Sequence, residues 1–289
     1  MNKICITGSA GFIASHVSEA LKYKGIQVIG LQRHSITGGY QYALPNIIYF
    51  GDLRDKELVE KAIQGSEGVI HLAGILGTQE TVKNPYPSVE VNIFGTLNVL
   101  EACKIWDIPM VYISVGNYWM NNSYSITNSC AERFVLMYSK ENGVKGNVVR
   151  GLNAFGERQR TYPIRKMMPS FILRALKDEP IEIYGSGEQK MDFVYVKDVA
   201  GVLIDVLMNQ TESFGNIFEA GLGYGLSVNE LAQKVIHYSG SKSEIIHVAM
   251  RPGEEPNSEV IAQNPYPYNY TNLDEALQKT IEWYRNYRD

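Results

Sequence analysis

Cysteine is scarce in this chain. Cys5, Cys103 and Cys130 are the only 3 in 289 residues, too few and too scattered for a disulfide framework or a clustered metal site. No metal is expected, and all three read as buried thiols. No run of about 18 apolar residues exists that would span a bilayer. The opening MNK leads straight into a strand pattern rather than a signal peptide. The expectation is a cytoplasmic protein without a membrane segment. A net charge of −4, spread without any block of like charges, offers nothing to a nucleic-acid backbone. Internal repeats and low-complexity linkers are absent as well.

What the chain does have is alternation. Short apolar runs rich in β-branched residues fall at 3–7 (KICIT), 27–31 (QVIGL), 47–50 (IIYF), 69–73 (VIHLA), 110–114 (MVYIS) and 147–150 (NVVR). Helical patterns separate most of them, at 14–24, 56–64, 87–106 and 128–142. Strands alternating with helices predict an α/β fold, a doubly wound parallel sheet covered on both faces. After Arg150 the rhythm breaks into turn-rich pieces, a helix near 164–176, a strand-like run at 192–196 (DFVYV) and a C-terminal helix over 273–287. The division expected is a Rossmann domain over 1–155 and a smaller substrate-binding lobe over 156–289, with 192–210 returning to the first domain.

Between the first strand and the first helix stands TGxxGxxA: Thr7, Gly8, Ser9, Ala10, Gly11, Phe12, Ile13, Ala14. Gly8 permits the tight turn, Gly11 lets the backbone approach a pyrophosphate at the helix N-terminus, and Ala14 lets helix pack on strand. At the start of a strand-helix-strand unit this is a dinucleotide-binding signal.

TGSAGFIASHV resembles the opening of the extended short-chain dehydrogenase/reductase family, the NAD-dependent epimerases and dehydratases that modify nucleotide sugars. The resemblance continues through GDLRD at 51–55, HLAG at 71–74, VNIFGT at 91–96, RGLN at 150–153, DFVYV at 192–196 and RPG at 251–253. It implies a Rossmann fold with NAD(P) lying along Gly8, Ser9, Gly11, Phe12 and Ile13. It also implies that Asp52 and Leu53 meet the adenine, and that the loop of Leu72, Ala73 and Gly74 flanks the cofactor. Members of the family commonly form homodimers through two long helices, here 87–106 and 128–142.

The second strand ends Gln32, Arg33, His34, Ser35, without the acid that grips both ribose hydroxyls in an NAD-preferring fold. Arg33 can neutralise a 2′-phosphate with Ser35 as a further donor, which favours NADP(H) and leaves NAD(H) as the alternative.

In the resembling family a Tyr exchanges the sugar hydroxyl proton, aided by a Ser/Thr and by a Lys four residues after the Tyr. Ser114 fits the first helper, and Tyr124 fits the catalytic position because Glu132 follows eight residues on. The lysine is missing. Tyr124, Ser125, Ile126, Thr127, Asn128 reads YxxxN, so the residue at the family's ribose-binding place brings no charge to lower the phenol pKa. Two YxxxK spacings, Tyr162 with Lys166 and Tyr238 with Lys242, lie too late in the chain and are read as chance. A dehydratase of the family carries acids just after the Ser/Thr, where this chain has Val115 and Gly116. Dehydration is disfavoured.

For the substrate, Asn153, Lys190 and Arg251 suggest a cradle for a nucleotide diphosphate. Lys190 stands in because Met191 occupies the family's phosphate-binding arginine position. The residues support three readings: an NADPH-using 4-ketoreductase of an NDP-4-keto-6-deoxyhexose, then a C4 epimerase of an NDP-sugar with tightly held NAD, then a nucleotide-sugar or dinucleotide-binding relative without turnover, which Asn128 and Met191 would explain.

Overall fold

The computed structural model describes residues 1–33, 44–162, 164–209, 212–251, 253–255 and 258–286. Seven strands form one sheet: β1 (Lys3–Thr7), β2 (Gln27–Gln32), β3 (Ile47–Phe50), β4 (Gly68–His71), β5 (Met110–Val115), β6 (Gly146–Gly151) and β7 (Ile217–Ala220). All pairs are parallel, and the spatial order is β7-β6-β5-β4-β1-β2-β3. The order reverses between β1 and β4, and a crevice opens outside the C-terminal ends of those two strands.

The strands are apolar on both sides because each side feeds a different core. Along β1, Ile4 and Ile6 enter one cluster and Cys5 the other. Along β4 and β6 the same period of two sends Ile70 and Val149 one way and Val69 and Val148 the other. The helices Phe12–Tyr23 and Val196–Asn209 pack together over the first face. Lys56–Ile63, Gly95–Ile105 and Ser123–Glu141 cover the second. Cys5 and Cys103 are buried thiols and Cys130 is half-buried.

A third core lies among the helices Met167–Ala175, Val228–Ser239 and Leu273–Arg285. A parallel pair, Ile181–Tyr184 with Ile245–Val248, flanks it, and Lys190–Met191 sits between Leu226–Ser227 and Glu259–Val260. Local chemistry fixes the ends of these helices. Ser227 and Glu230 form a reciprocal capping box, Gly240 closes the same helix at φ 70°, and Asn272 caps the last helix.

Several sequence expectations shift. The seventh strand, IFEA, was not anticipated, because a half-polar four-residue run gives little periodic signal at the edge of a sheet. The pattern at 192–196 splits into a strand, Phe193–Tyr195, and the start of the helix Val196–Asn209. The helix expected from 128 begins at Ser123, where the Asn122 side chain accepts the Ser125 N–H at 2.9 Å. That early start places Tyr124 and Asn128 on successive turns of one helix. No helix among the described residues is long and apolar enough to cross a membrane.

Candidate active site

β1 and β4 end side by side, with Thr7 opposite His71, and the loops that follow them meet at the switch point. Gly8 has φ 68°, and a Cβ there would stand 2.8 Å from Ala73 Cα, so the turn requires glycine twice over. Gly11 precedes the helix Phe12–Tyr23, and no side chain among the described residues caps that helix. A Cβ on Gly11 would stand 3.0 Å from Gly8 O. An uncapped, positively polarised helix end beside two glycines fits an anionic pyrophosphate. Ser9 is buried, and its hydroxyl donates to Gln32 Oε1 at 2.8 Å, bracing the loop against β2.

A buried polar chain fixes the facing loop. Thr7 Oγ1 accepts the N–H groups of Leu72 and Ala73, each at 3.2 Å. His71 holds Thr7 Oγ1 at 2.6 Å through Nδ1 and Thr96 Oγ1 at 2.9 Å through Nε2. Thr96 spends its one proton on Asn92 O at 2.6 Å. His71 Nε2 therefore donates and Nδ1 accepts from Thr7. Burial lowers the His71 pKa to about 3, so the ring is neutral and acts as a strut. Asn92 extends the chain. Its Oδ1 accepts the Ile75 N–H at 2.7 Å, and its Nδ2 donates to Thr127 Oγ1 at 2.9 Å. The loop carrying Leu72, Ala73 and Gly74 is thereby tied to the helix that carries Tyr124. Asn92 entered the sequence reading only as part of VNIFGT, and the spacing alone gives no hint of its partners.

Between these loops and the lobe runs a cleft of about 410 Å³. Gly8, Gly11, Phe12, Ile13, Leu72, Ala73 and Gly74 line it at the sheet end, together with Ser114, Tyr124 and Asn128. Ser114 stands one residue before the end of β5 at 3% exposure, and its hydroxyl has no partner among the described residues. Burial pushes the Tyr124 phenol up to about 12. Asn128 Nδ2 donates to Tyr124 O at 2.8 Å, while Tyr112 donates to Asn128 Oδ1 at 3.0 Å. An orphan hydroxyl and a neutral phenol facing one cleft can hold an alcohol or a carbonyl and exchange a proton with it.

Arg33 is exposed just past β2, and its charge acts on Asp52, which follows β3. Asp52 itself pairs with Arg54 at 2.9 Å, and that hydrogen bond holds its carboxyl below the usual range. Leu53 is buried against Gly95. Ser35 lies outside the described residues.

At the lobe end the cleft is lined by Asn153, Gln189, Met191, Arg165, Lys166 and Arg251. Asn153 Nδ2 donates to Asp192 O at 3.3 Å. Arg251 stacks 4.5 Å from the Tyr184 ring and pairs with Glu254, while its buried Nε has no partner among the described residues. Lys190 is a correction. The alternation of the short strand turns it out of the cleft, to 53% exposure and a shallow separate depression with Glu188 and His247. Lys166, set aside as chance from its spacing, lines the cleft instead, with its ammonium pKa lowered by burial. Arg158 pairs with Glu19 at 2.8 Å, and Arg165 with Glu182 at 3.1 Å.

A family model described as the NAD dependent epimerase/dehydratase family matches residues 4–221. The chain belongs to that family. It is 30% identical, over 98% of both chains, to a candidate UDP-glucose 4-epimerase of Methanocaldococcus jannaschii. Its fold is similar to that of a Thermotoga maritima UDP-glucose 4-epimerase solved with UDP-glucose: TM-score 0.89, 27% identity, covering 98% of this chain and 99% of that one. A Thermus thermophilus UDP-glucose 4-epimerase solved with NAD superposes with TM-score 0.85 at 26% identity, covering 98% of this chain and 99% of that one. The chain sets the glycine loop, Ser114 and Tyr124 along the cleft, together with Asn128 and Met191. It also lacks acids directly after Ser114, since Val115 is buried and a Cβ on Gly116 would stand 2.5 Å from Leu152 Cδ1.

Proposed function

We propose that the protein inverts the C4 hydroxyl of a nucleotide-diphosphate sugar, a UDP-hexose first among the candidates, using a nicotinamide dinucleotide in the cleft. One observation carries the reading: the orphan Ser114 hydroxyl and the Tyr124 phenol share a cleft with an uncapped, glycine-flanked helix N-terminus. Bound there, the dinucleotide supplies reversible hydride exchange with the sugar carbon. The chain's own tasks are to hold its pyrophosphate at Gly11, Phe12 and Ile13, to orient the sugar oxygen at Ser114 and to exchange that oxygen's proton at Tyr124. Asn153, Arg251 and Lys166 hold the substrate diphosphate. Without an acid after Ser114, the site has no group there to expel a sugar hydroxyl, which favours simple oxidation and reduction over dehydration. The similarity to UDP-glucose 4-epimerases, one of them solved with NAD, supports the epimerase reading with NAD(H) over the ketoreductase.

A second reading, an NADPH-dependent 4-ketoreductase, is favoured by Arg33 at the adenosine end with no acid closing β2. Incubation with UDP-, dTDP-, GDP- and CDP-hexoses separates the readings. Inversion at C4 in the proton NMR spectrum without net cofactor consumption marks the epimerase. Stoichiometric loss of NADPH absorbance with a keto sugar marks the reductase. Thermal stabilisation without turnover marks a binding protein and overturns both. Arg33→Ala is expected to weaken NADP(H) at least about 10-fold more than NAD(H), because a charge-assisted hydrogen bond is worth about 1.5 to 3 kcal/mol. Equal losses, measured by calorimetry, remove the phosphate from that site.

The phenol sets the pH dependence. Tyr124 accepts the alcohol proton only as phenolate, and with a pKa of about 12 its phenolate fraction rises about tenfold per pH unit through the working range. The oxidative half-reaction is expected to climb steadily from about pH 7 to 10, while reduction, which needs the protonated phenol, stays flat. A plateau in the oxidation rate near neutrality would mean that another group supplies the charge.

The helices Gly95–Ile105 and Ser123–Glu141 belong to this proposal too. Ile105, Ile126 and Met137 lie exposed on them, and a homodimer through these helices would cover such residues. Sedimentation at micromolar concentration tests it, and a monomer contradicts it.

A further inference from the structure

Tyr112 has no task in the scheme above, yet it is among the best-held groups of the site. It lies on β5 two residues before Ser114, on the same side of the strand. It is 3% exposed, and its ring sits 5.3 Å from that of His71. Its hydroxyl donates to Asn128 Oδ1 at 3.0 Å, and Asn128 Nδ2 donates to Tyr124 O at 2.8 Å. The amide has one workable orientation, because turning it over would set its oxygen against the Tyr124 carbonyl oxygen. Tyr112 thus fixes the amide, and the amide ties that hydroxyl to the turn that carries Tyr124. One N–H of Asn128 and the free lone pairs of the Tyr112 hydroxyl remain, and both residues line the cleft. A longer side chain at 128 would run into the Tyr112 hydroxyl, which takes the ground directly beyond the amide.

We propose that Tyr112 is a positioning residue for the dinucleotide, and that Tyr112 and Asn128 act as one neutral pair: the tyrosine orients the amide, and the amide's remaining N–H engages a hydroxyl of the bound dinucleotide beside Tyr124. The pair holds by geometry what a single cation at 128 would hold by charge, and neither member can be exchanged alone. This rests on the dinucleotide reading above.

The test measures NAD(H) and NADP(H) dissociation constants by calorimetry, which needs no turnover. Tyr112→Phe removes one oxygen from a ring that stays packed, and is expected to weaken the dinucleotide about 3- to 10-fold, the worth of one net hydrogen bond. Asn128→Lys alone is expected to weaken it by more than about 10-fold, since it buries a cation against Tyr112. Tyr112→Ser combined with Asn128→Lys opens the space and gives the lysine stem a cavity to fill, so affinity is expected to return to within about 3-fold of the starting protein. A purely structural tyrosine would not be rescued by a second change that adds a charge. Unchanged affinity in Tyr112→Phe, or a double variant no better than Asn128→Lys, overturns the pairing. A parent protein that binds neither dinucleotide overturns the functional reading itself, a different and separately visible result.

Discussion

Tyr124→Phe is expected to lower turnover of the nucleotide sugar by about 10² to 10⁴-fold, the usual worth of a positioned general acid or base, and to leave dinucleotide affinity nearly unchanged. The substitution removes only the hydroxyl. The ring remains on its turn of Ser123–Glu141, and Asn128 still donates to the backbone carbonyl of residue 124, a contact that does not involve the phenol. The expected pattern is therefore a loss in kcat with little change in binding, the signature of a group used only as the proton moves. Initial rates with the preferred sugar and calorimetry with the dinucleotide check the two halves separately. A Tyr124→Phe protein with full activity would mean that the proton comes from elsewhere, and the unpartnered Ser114 hydroxyl would be the next group to remove.

Gly11→Val is expected to weaken the dinucleotide by about 100-fold or more while the protein stays folded, since two charge-assisted hydrogen bonds at the helix end account for about that much. The fold should survive because Gly11 has φ −76° and ψ 167°, an extended conformation open to any residue. Its Cβ would meet Gly8 O at 3.0 Å, and the two methyl groups beyond it would enter the space in front of the helix N-terminus. Gly8 makes a poorer probe, because its φ of 68° and the 2.8 Å approach to Ala73 Cα would bring strain as well as lost binding. Circular dichroism and calorimetry on one sample distinguish the cases. Retained affinity in a folded Gly11→Val protein would reduce the glycine loop to an ordinary turn.

The order of strands and helices through Arg150 was readable because both faces of a parallel sheet are buried, which turns each strand into a short unbroken apolar run. Ile4, Cys5 and Ile6 all read as core, although they serve two different cores. The glycine loop was readable from its spacing between strand and helix, since Gly8 needs its positive φ and Gly11 keeps side-chain atoms away from the helix N-terminus. Ser114 and Tyr124 were located by resemblance and by the distance from Tyr124 to Glu132. The structure adds the pairing beneath them: Glu132 accepts two hydrogen bonds from Arg150, at 3.0 and 2.6 Å.

What escaped the sequence depends on direction rather than spacing. Lys190 and Lys166 are both lysines in turn-rich stretches, and only the alternation of a two-residue strand turns one away from the cleft while a helix start brings the other in. Asn128 read as a lysine lost. Its hydrogen bonds to Tyr112, 16 residues away in the chain, and to the Tyr124 carbonyl hold the amide at both its oxygen and its nitrogen. Asn92 likewise gains its meaning from Ile75 and Thr127, which lie 17 and 35 residues away. No local pattern carries such pairings, because they depend on which strand ends the fold brings together.

The central claim is that hydrogen passes between sugar C4 and a nicotinamide in the cleft that Ser114 and Tyr124 line. A single turnover of the protein loaded with NADH deuterated at nicotinamide C4 and mixed with the matching UDP-4-ketohexose, its products read by mass spectrometry, tests it most directly. Deuterium at C4 of the UDP-hexose formed is expected from the parent protein and almost none from Tyr124→Phe. Deuterium that remains wholly on the dinucleotide, in a parent protein that demonstrably binds both ligands, would contradict it.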